Sequence, residues 1–241
     1  GAAFTIDPID LAIEQSTDTA IITASMEDDL GDYGGIVFTA TINDNGAIIP
    51  TGHYYTSNML EDDAVAALAP GNDSLTVDIA LLEPHQVTLV ARDGATHAYV
   101  IWSASNYPYS YCGGSEWDEP CVTVITRHAL DGSSPFLVDA AWPAIYPAIA
   151  FNYWDQMSSG TADILGLPGP SGISRLIVAG ESLWQLTYDD APVNSAFTWT
   201  QSPLVTHGYN TRGLTSDGAN LYWRTDSQDD PLVIVPLTCE P

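Results

Sequence analysis

The sequence predicts an all-β fold in one domain, and three observations lead there. β-branched and aromatic residues crowd into short runs, each run stops at a Gly, Asn or Asp cluster, and a hairpin pattern returns along the chain. The chain has 241 residues and is 45% hydrophobic, enough for one sizeable core or one closed repeat array.

Taken in order, LAIEQSTDTAIITASMEDD from Leu11 reads as a hairpin without a glycine turn, and GIVFTATINDNGAIIPTG from Gly35 as two strands joined through Asn45-Gly46. Met59 to Leu68 (MLEDDAVAAL) is the one helix-like piece, barely two to three turns long. LVARDGATHAYVIWSAS from Leu89, LIVAGESLWQLTYDD from Leu176 and GLTSDGANLYWRTDS from Gly213 line up as one repeated hairpin. Each turns at a glycine (Gly94, Gly180 or Gly218) and carries aromatic residues in its second strand. A further strand follows in VTVITRHALDGSSPFLVDA and in PLVIVPL. Hairpin plus hairpin makes a four-stranded antiparallel unit.

The run Asp217-Gly218 to Tyr222-Trp223, and Leu130-Asp131-Gly132 to Leu137-Val138, resemble the blade repeats of secreted bacterial β-propeller proteins. The resemblance is specific in Gly213–Ser227 and Val122–Ala140, and poor across Asn58–Pro84 and Trp142–Pro170. It implies a ring of about five or six four-stranded blades. It also implies closure by the N-terminal strand Ala3–Ile6, which belongs to no hairpin of its own and would supply the edge missing after Pro231–Leu237. The competing architecture is a β-sandwich of similar size.

Five arginines, no lysine and a formal net charge of −26 exclude nucleic acid and anionic membrane surfaces as partners, because both are bound by neutralising phosphates. Such a field attracts divalent cations and suits a secreted protein or a saline habitat. No apolar run approaches the roughly 18 residues a membrane span needs. The start Gly1-Ala2-Ala3-Phe4 reads as processed. Asn72-Asp73-Ser74 is a glycosylation sequon by pattern.

The stretch SNYPYSYCGGSEWDEPC, Ser105 to Cys121, is an insertion between two strands. A Cys112–Cys121 disulfide would close a loop of about ten residues, contribute roughly 2.5–3 kcal/mol and place the chain in an oxidising compartment, secreted or at the cell surface. Zinc competes, but the spacing lacks a second Cys or His pair. Cys239 is left over. Tyr107, Tyr109, Tyr111 and Trp117 on such a stiffened loop form a candidate ligand-binding surface; packing back onto the protein is the alternative.

Acid clusters stand at Glu27-Asp28-Asp29 with Asp32, Glu61-Asp62-Asp63, Asp189-Asp190 and Asp229-Asp230. As ligands they would suit Ca²⁺, with Asp28, Asp29 and Asp32 the leading candidates, although none shows the spacing of a dedicated calcium loop. Solvated turn acids are the simpler reading. The five histidines show no metal-binding spacing, and Gly169-Pro170-Ser171-Gly172 is not a nucleophile elbow. The expected function is therefore a non-enzymatic binding or assembly module that recognises a glycan or an extracellular protein and can self-assemble. An extracellular propeller-type glycoside hydrolase or lyase with channel carboxylates is the alternative.

Overall fold

The computed structural model describes residues 4–28, 33–60, 82–92, 95–104, 124–130, 163–168, 174–179, 182–188, 199–206, 211–225 and 231–237. Over these residues the chain forms small antiparallel sheets that follow one another in sequence. The first is a meander of β1 (Phe4–Glu14), β2 (Thr19–Asp28), β3 (Tyr33–Ile42) and β4 (Ile48–Thr56). The second comprises β5 (Leu82–Arg92), β6 (Ala95–Ala104) and β7 (Val124–Ala129). The third runs β8 (Asp163–Pro168), β9 (Ser174–Ala179), β10 (Ser182–Tyr188) and β11 (Trp199–Thr206). The fourth holds β12 (Thr211–Ser216), β13 (Asn220–Thr225) and β14 (Leu232–Pro236).

The four hairpins aligned in the sequence form, as β1–β2, β5–β6, β9–β10 and β12–β13, and the strands joined through Asn45-Gly46 form a fifth, β3–β4. The β12–β13 hairpin shows why the Asp-Gly turn works. Gly218 takes φ +89°, a conformation that side chains resist, while Asp217 Oδ1 accepts the Ala219 and Asn220 N–H groups at 2.8 and 2.7 Å. The Tyr222 hydroxyl donates to Asp217 Oδ2 at 2.7 Å, so the turn and the second strand are tied by one carboxylate.

Two expectations need correction. Residues 4–6 are not a separate closing strand. They begin β1 and pair with Met26–Asp28 of β2, and the register shift between Pro8 and Asp10 lets the strand continue past the proline that disguises it. In the third sheet the LIVAGESLWQL hairpin is the central pair, not the opening one, because β8 (DILGLP) precedes it. That strand is short and ends in proline, so its sequence looks like loop. Of the helix expected over Met59–Leu68, residues 57–60 are helical and the remainder lies outside the described residues. Four sheets are described, against the about five or six units expected.

Directly paired residues on antiparallel strands share a face. Asp10, Thr23, Val37 and Tyr55 therefore line the side of the first sheet that meets the second, where β5 packs on β1, β2 and β3. At this junction Tyr55 stands edge-on to Trp102 (centroids 6.1 Å apart) and to His128 (5.5 Å). Trp102 Nε1–H donates to Thr126 Oγ1 at 2.8 Å, and that hydroxyl lies 2.7 Å from His128 Nε2. All four side chains are buried. The third and fourth sheets meet over Leu167, Ile177, Ala179, Leu183, Leu221 and Trp223.

Gly166 marks the closest approach between sheets. A Cβ there would collide with Val90 Cγ2 and press on Thr88 Oγ1 at 3.2 Å and the Leu89 carbonyl oxygen at 3.3 Å. Two losses follow, both measurable by urea unfolding. Gly166→Ala is expected to cost about 1–3 kcal/mol through overpacking. Thr126→Val removes the hydroxyl between two buried ring nitrogens and should cost about 2–4 kcal/mol, more than a matched exposed Thr41→Val.

Candidate functional site

Beside the apolar contacts between sheets, polar side chains on first strands reach from one sheet to the next. β5 packs beside β1, β8 beside β5, and β12 beside β8, so these strands form one strip through the molecule. Along it, side chains of one strand bind the backbone of the next. Asp10 Oδ2 on β1 accepts the Val87 N–H of β5 at 3.0 Å. Gln86 Oε1 and Thr88 Oγ1 on β5 accept the Ile164 and Gly166 N–H groups of β8 at 2.6 and 2.9 Å. Asp163 begins β8, and the Leu214 backbone amide of β12 lies near enough to draw its carboxyl's pKa downward.

Local sequence aims these groups. β1 and β5 both slip register against their hairpin partner next to a proline, between Pro8 and Asp10 and between Pro84 and Gln86. A proline cannot donate to the ladder, so a bulge forms and re-aims the residue two places on toward the next sheet. The pair Pro8-Ile9-Asp10 and Pro84-His85-Gln86 is the sequence signal that hydrophobic patterning passes over. Glu14, four residues further along β1, accepts from the Thr96 side chain and from Ser16, and these bonds hold its carboxyl below the usual range.

The electrostatics single out Asp163. Burial, and then the charge of Asp10, push its carboxyl up to about 6, against a smaller pull downward from the Leu214 N–H. Glu83 on β5 is also raised by burial. His128 is driven the other way, to about 3, because its buried ring resists a charge. Asp217, exposed, is lowered to about 2, by the Tyr222 hydroxyl first and then by the Asn220 and Ala219 amides. Two neighbouring carboxyls of which one is raised can hold or move a proton at neutral to mildly acid pH.

Tyr107, Tyr109, Tyr111, Trp117, Cys112, Cys121, Asp29 and Asp32, the candidates from sequence, lie outside the described residues. Asp28 is the last residue of β2, paired with Phe4. Among the described residues no group of three His, Cys, Asp or Glu side chains is placed to hold a metal ion, and no helix is long and apolar enough to cross a membrane.

No family model matches the chain, and no curated protein matches it. Among solved structures it is similar to a protein of Bacteroides uniformis provisionally described as a 6-phosphogluconolactonase, at 10% identity over 96% of this chain and 84% of that one, with a TM-score of 0.28. A superposition at that score carries no argument about architecture or activity.

Asp10→Ala leaves the Val87 N–H without its acceptor and should cost about 1–3 kcal/mol, whereas Asp10→Asn keeps an acceptor oxygen and should cost less than about 1. The His128 ring is held well below its ordinary value of 6.5, so the unfolded chain takes up that proton first. Its contribution to stability is complete above pH 6.5 and is lost as pH falls toward 3. Urea unfolding of His128→Asn across pH 3–7 should show a flatter acid limb than the unsubstituted chain.

Proposed function

We propose that the chain is a secreted or cell-surface binding and assembly module of the β-propeller kind, with no chemistry of its own, that recognises a glycan or an extracellular protein. The observation that carries this reading is where apolar surface remains open. Among the described residues, every exposed large apolar side chain belongs to the first sheet, to Met59 just after it, or to the fourth. Leu11 and Ile13 on β1 are 44% exposed, Tyr54 on β4 is 56%, and Ile234 on β14 is 54%. Apolar exposure clustered on two of the sheets is the mark of a surface made for association.

The side-by-side packing of β1, β5, β8 and β12 supports blades arranged round a shared axis over a two-layer sandwich. A scaffold of that kind is rigid and offers its connections for recognition. The Ser105–Cys121 segment would supply the glycan or protein contact through Tyr107, Tyr109, Tyr111 and Trp117, stiffened by a Cys112–Cys121 disulfide. Calcium at Asp28, Asp29 and Asp32 would offset the repulsion between strongly acidic copies in an oligomer or filament.

One observation favours the hydrolase or lyase reading instead: Asp163, raised to about 6, lies close enough to Asp10 to feel its charge. The two readings separate in one set of assays. The assembly module should increase in mass by light scattering when millimolar calcium is added, and Leu11→Asp or Ile234→Asp should return it to monomer. It should bind on a glycan array with at least tenfold loss in Trp117→Ala. Release of reducing ends from a polysaccharide panel, abolished in Asp163→Asn, would instead establish the enzyme.

A further inference from the structure

We propose that the chain joins a second copy of itself head to tail, the outer face of the fourth sheet of one copy covering the outer face of the first sheet of the next. The inference deepens the assembly part of the reading above and rests on it, but it needs neither a glycan nor calcium.

The strip runs from β1 through β5 and β8 to β12, so the first and fourth sheets are its two ends. Among the described residues, β12 has no comparable packing back onto β1. Each end sheet packs one face on its inner neighbour and turns the other away from it.

Register sets that outer face on the first sheet. Leu11, Ile22, Phe38 and Tyr54 are paired across the four strands, one residue out of step with the Asp10 to Tyr55 row that meets the second sheet. Ile6, Ile13 and Ile48 lie in other rows of the same side. From the Ile6 row to the Ile48 row no paired residue of this side is charged, in a chain of net charge −26. Ala20, Ile22 and Ala40 form an apolar cluster there with Phe38 and Ile42, yet Ile6, Leu11, Ile13, Ile48 and Tyr54 stay 44–56% exposed.

On the fourth sheet Leu221 and Trp223 pack toward the third. Tyr222 with its partner Ile234, and Arg224 with Leu232, therefore look outward. Leu232 and Ile234 are 52% and 54% exposed, and the charge that this side carries, on Arg224, is positive. Asp217 stands at the rim, its Oδ2 accepting the Tyr222 hydroxyl at 2.7 Å.

Charge narrows the choice of contact. Two copies at −26 repel wherever acids face acids, and these two apolar faces oppose no row of acids to a partner. A symmetric pair, first sheet on first sheet, would leave Leu232 and Ile234 bare. The head-to-tail junction covers both ends with the sheet-on-sheet contact already used inside the chain. The five half-exposed side chains of the first sheet present on the order of 500 Å², a large share of the roughly 800 Å² each partner gives to a standard interface.

Light scattering on mixed variants of the intact chain tests the junction. The unsubstituted chain should associate, and more tightly at about 1 M NaCl, where the screening length falls to about 3 Å. Leu11→Asp spoils the first-sheet face and Ile234→Asp the fourth-sheet face. Each variant alone should lose about tenfold or more in affinity and run as a monomer, because the junction would bury an unpaired carboxylate. An equimolar mixture should form a 1:1 complex, since one sound face of each kind remains. Ile234→Asp copies that still pair with one another, or a mixture that stays monomeric while the unsubstituted chain associates, overturn the head-to-tail junction and leave the assembly reading in place. An unsubstituted chain that is monomeric throughout, with and without millimolar calcium, overturns both. Should either variant fail to fold, Ile13→Asp or Leu232→Asp takes its place.

Discussion

Backbone N–H groups on the first strands of the second and third sheets need acceptors, and the preceding sheet supplies them from side chains. Asp10 serves Val87, and Gln86 and Thr88 serve Ile164 and Gly166. A strand at a sheet edge presents a row of unpaired donors that would otherwise stay in water or recruit another chain. Here the donors are capped one sheet at a time, and the caps set the spacing between sheets. Gly166 belongs to the same solution, since the backbone approach that places its N–H 2.9 Å from Thr88 Oγ1 leaves no room for a Cβ.

This arrangement changes what the acidic residues mean. A chain with 31 acids and five arginines suggests a surface dressed for solubility. Several of those acids act in the architecture instead: Asp10 joins two sheets, Glu14 binds Ser16, and Asp217 closes a hairpin turn. Where a carboxylate is exposed and richly hydrogen-bonded, as at Asp217, it stays ionised. Where it is partly buried beside another acid, as at Asp163, it keeps its proton to higher pH. The same residue type thus locks a turn as an anion or keeps its proton to higher pH according to its surroundings.

The interior between the first and second sheets follows a different rule. Trp102, Thr126 and His128 are a buried polar chain, and Tyr55 closes over it with ring edges. A buried polar group is tolerable when its partners are in place, and Thr126 links the two rings because one hydroxyl can accept and donate. The neutral state of His128 follows from that burial and not from a nearby charge.

The sequence by itself determined most strands and their hairpins, because β-branched runs punctuated by short polar or glycine turns act over a few residues and need no distant partner. That is why β1–β2, β5–β6, β9–β10 and β12–β13 were all legible in it. It also contained, unrecognised, the Pro-x-Asp and Pro-x-Gln bulges that aim Asp10 and Gln86. β8 was hidden because a six-residue strand interrupted by one Gly and ending in Pro has no period to detect, and it forms through its neighbours. Tertiary structure alone decided which strands share the strip, that residues 4–6 pair with β2, and that Asp163 stands beside Asp10 some 150 residues away in sequence. Those outcomes depend on burial and on charges brought together from distant segments, which no local pattern encodes.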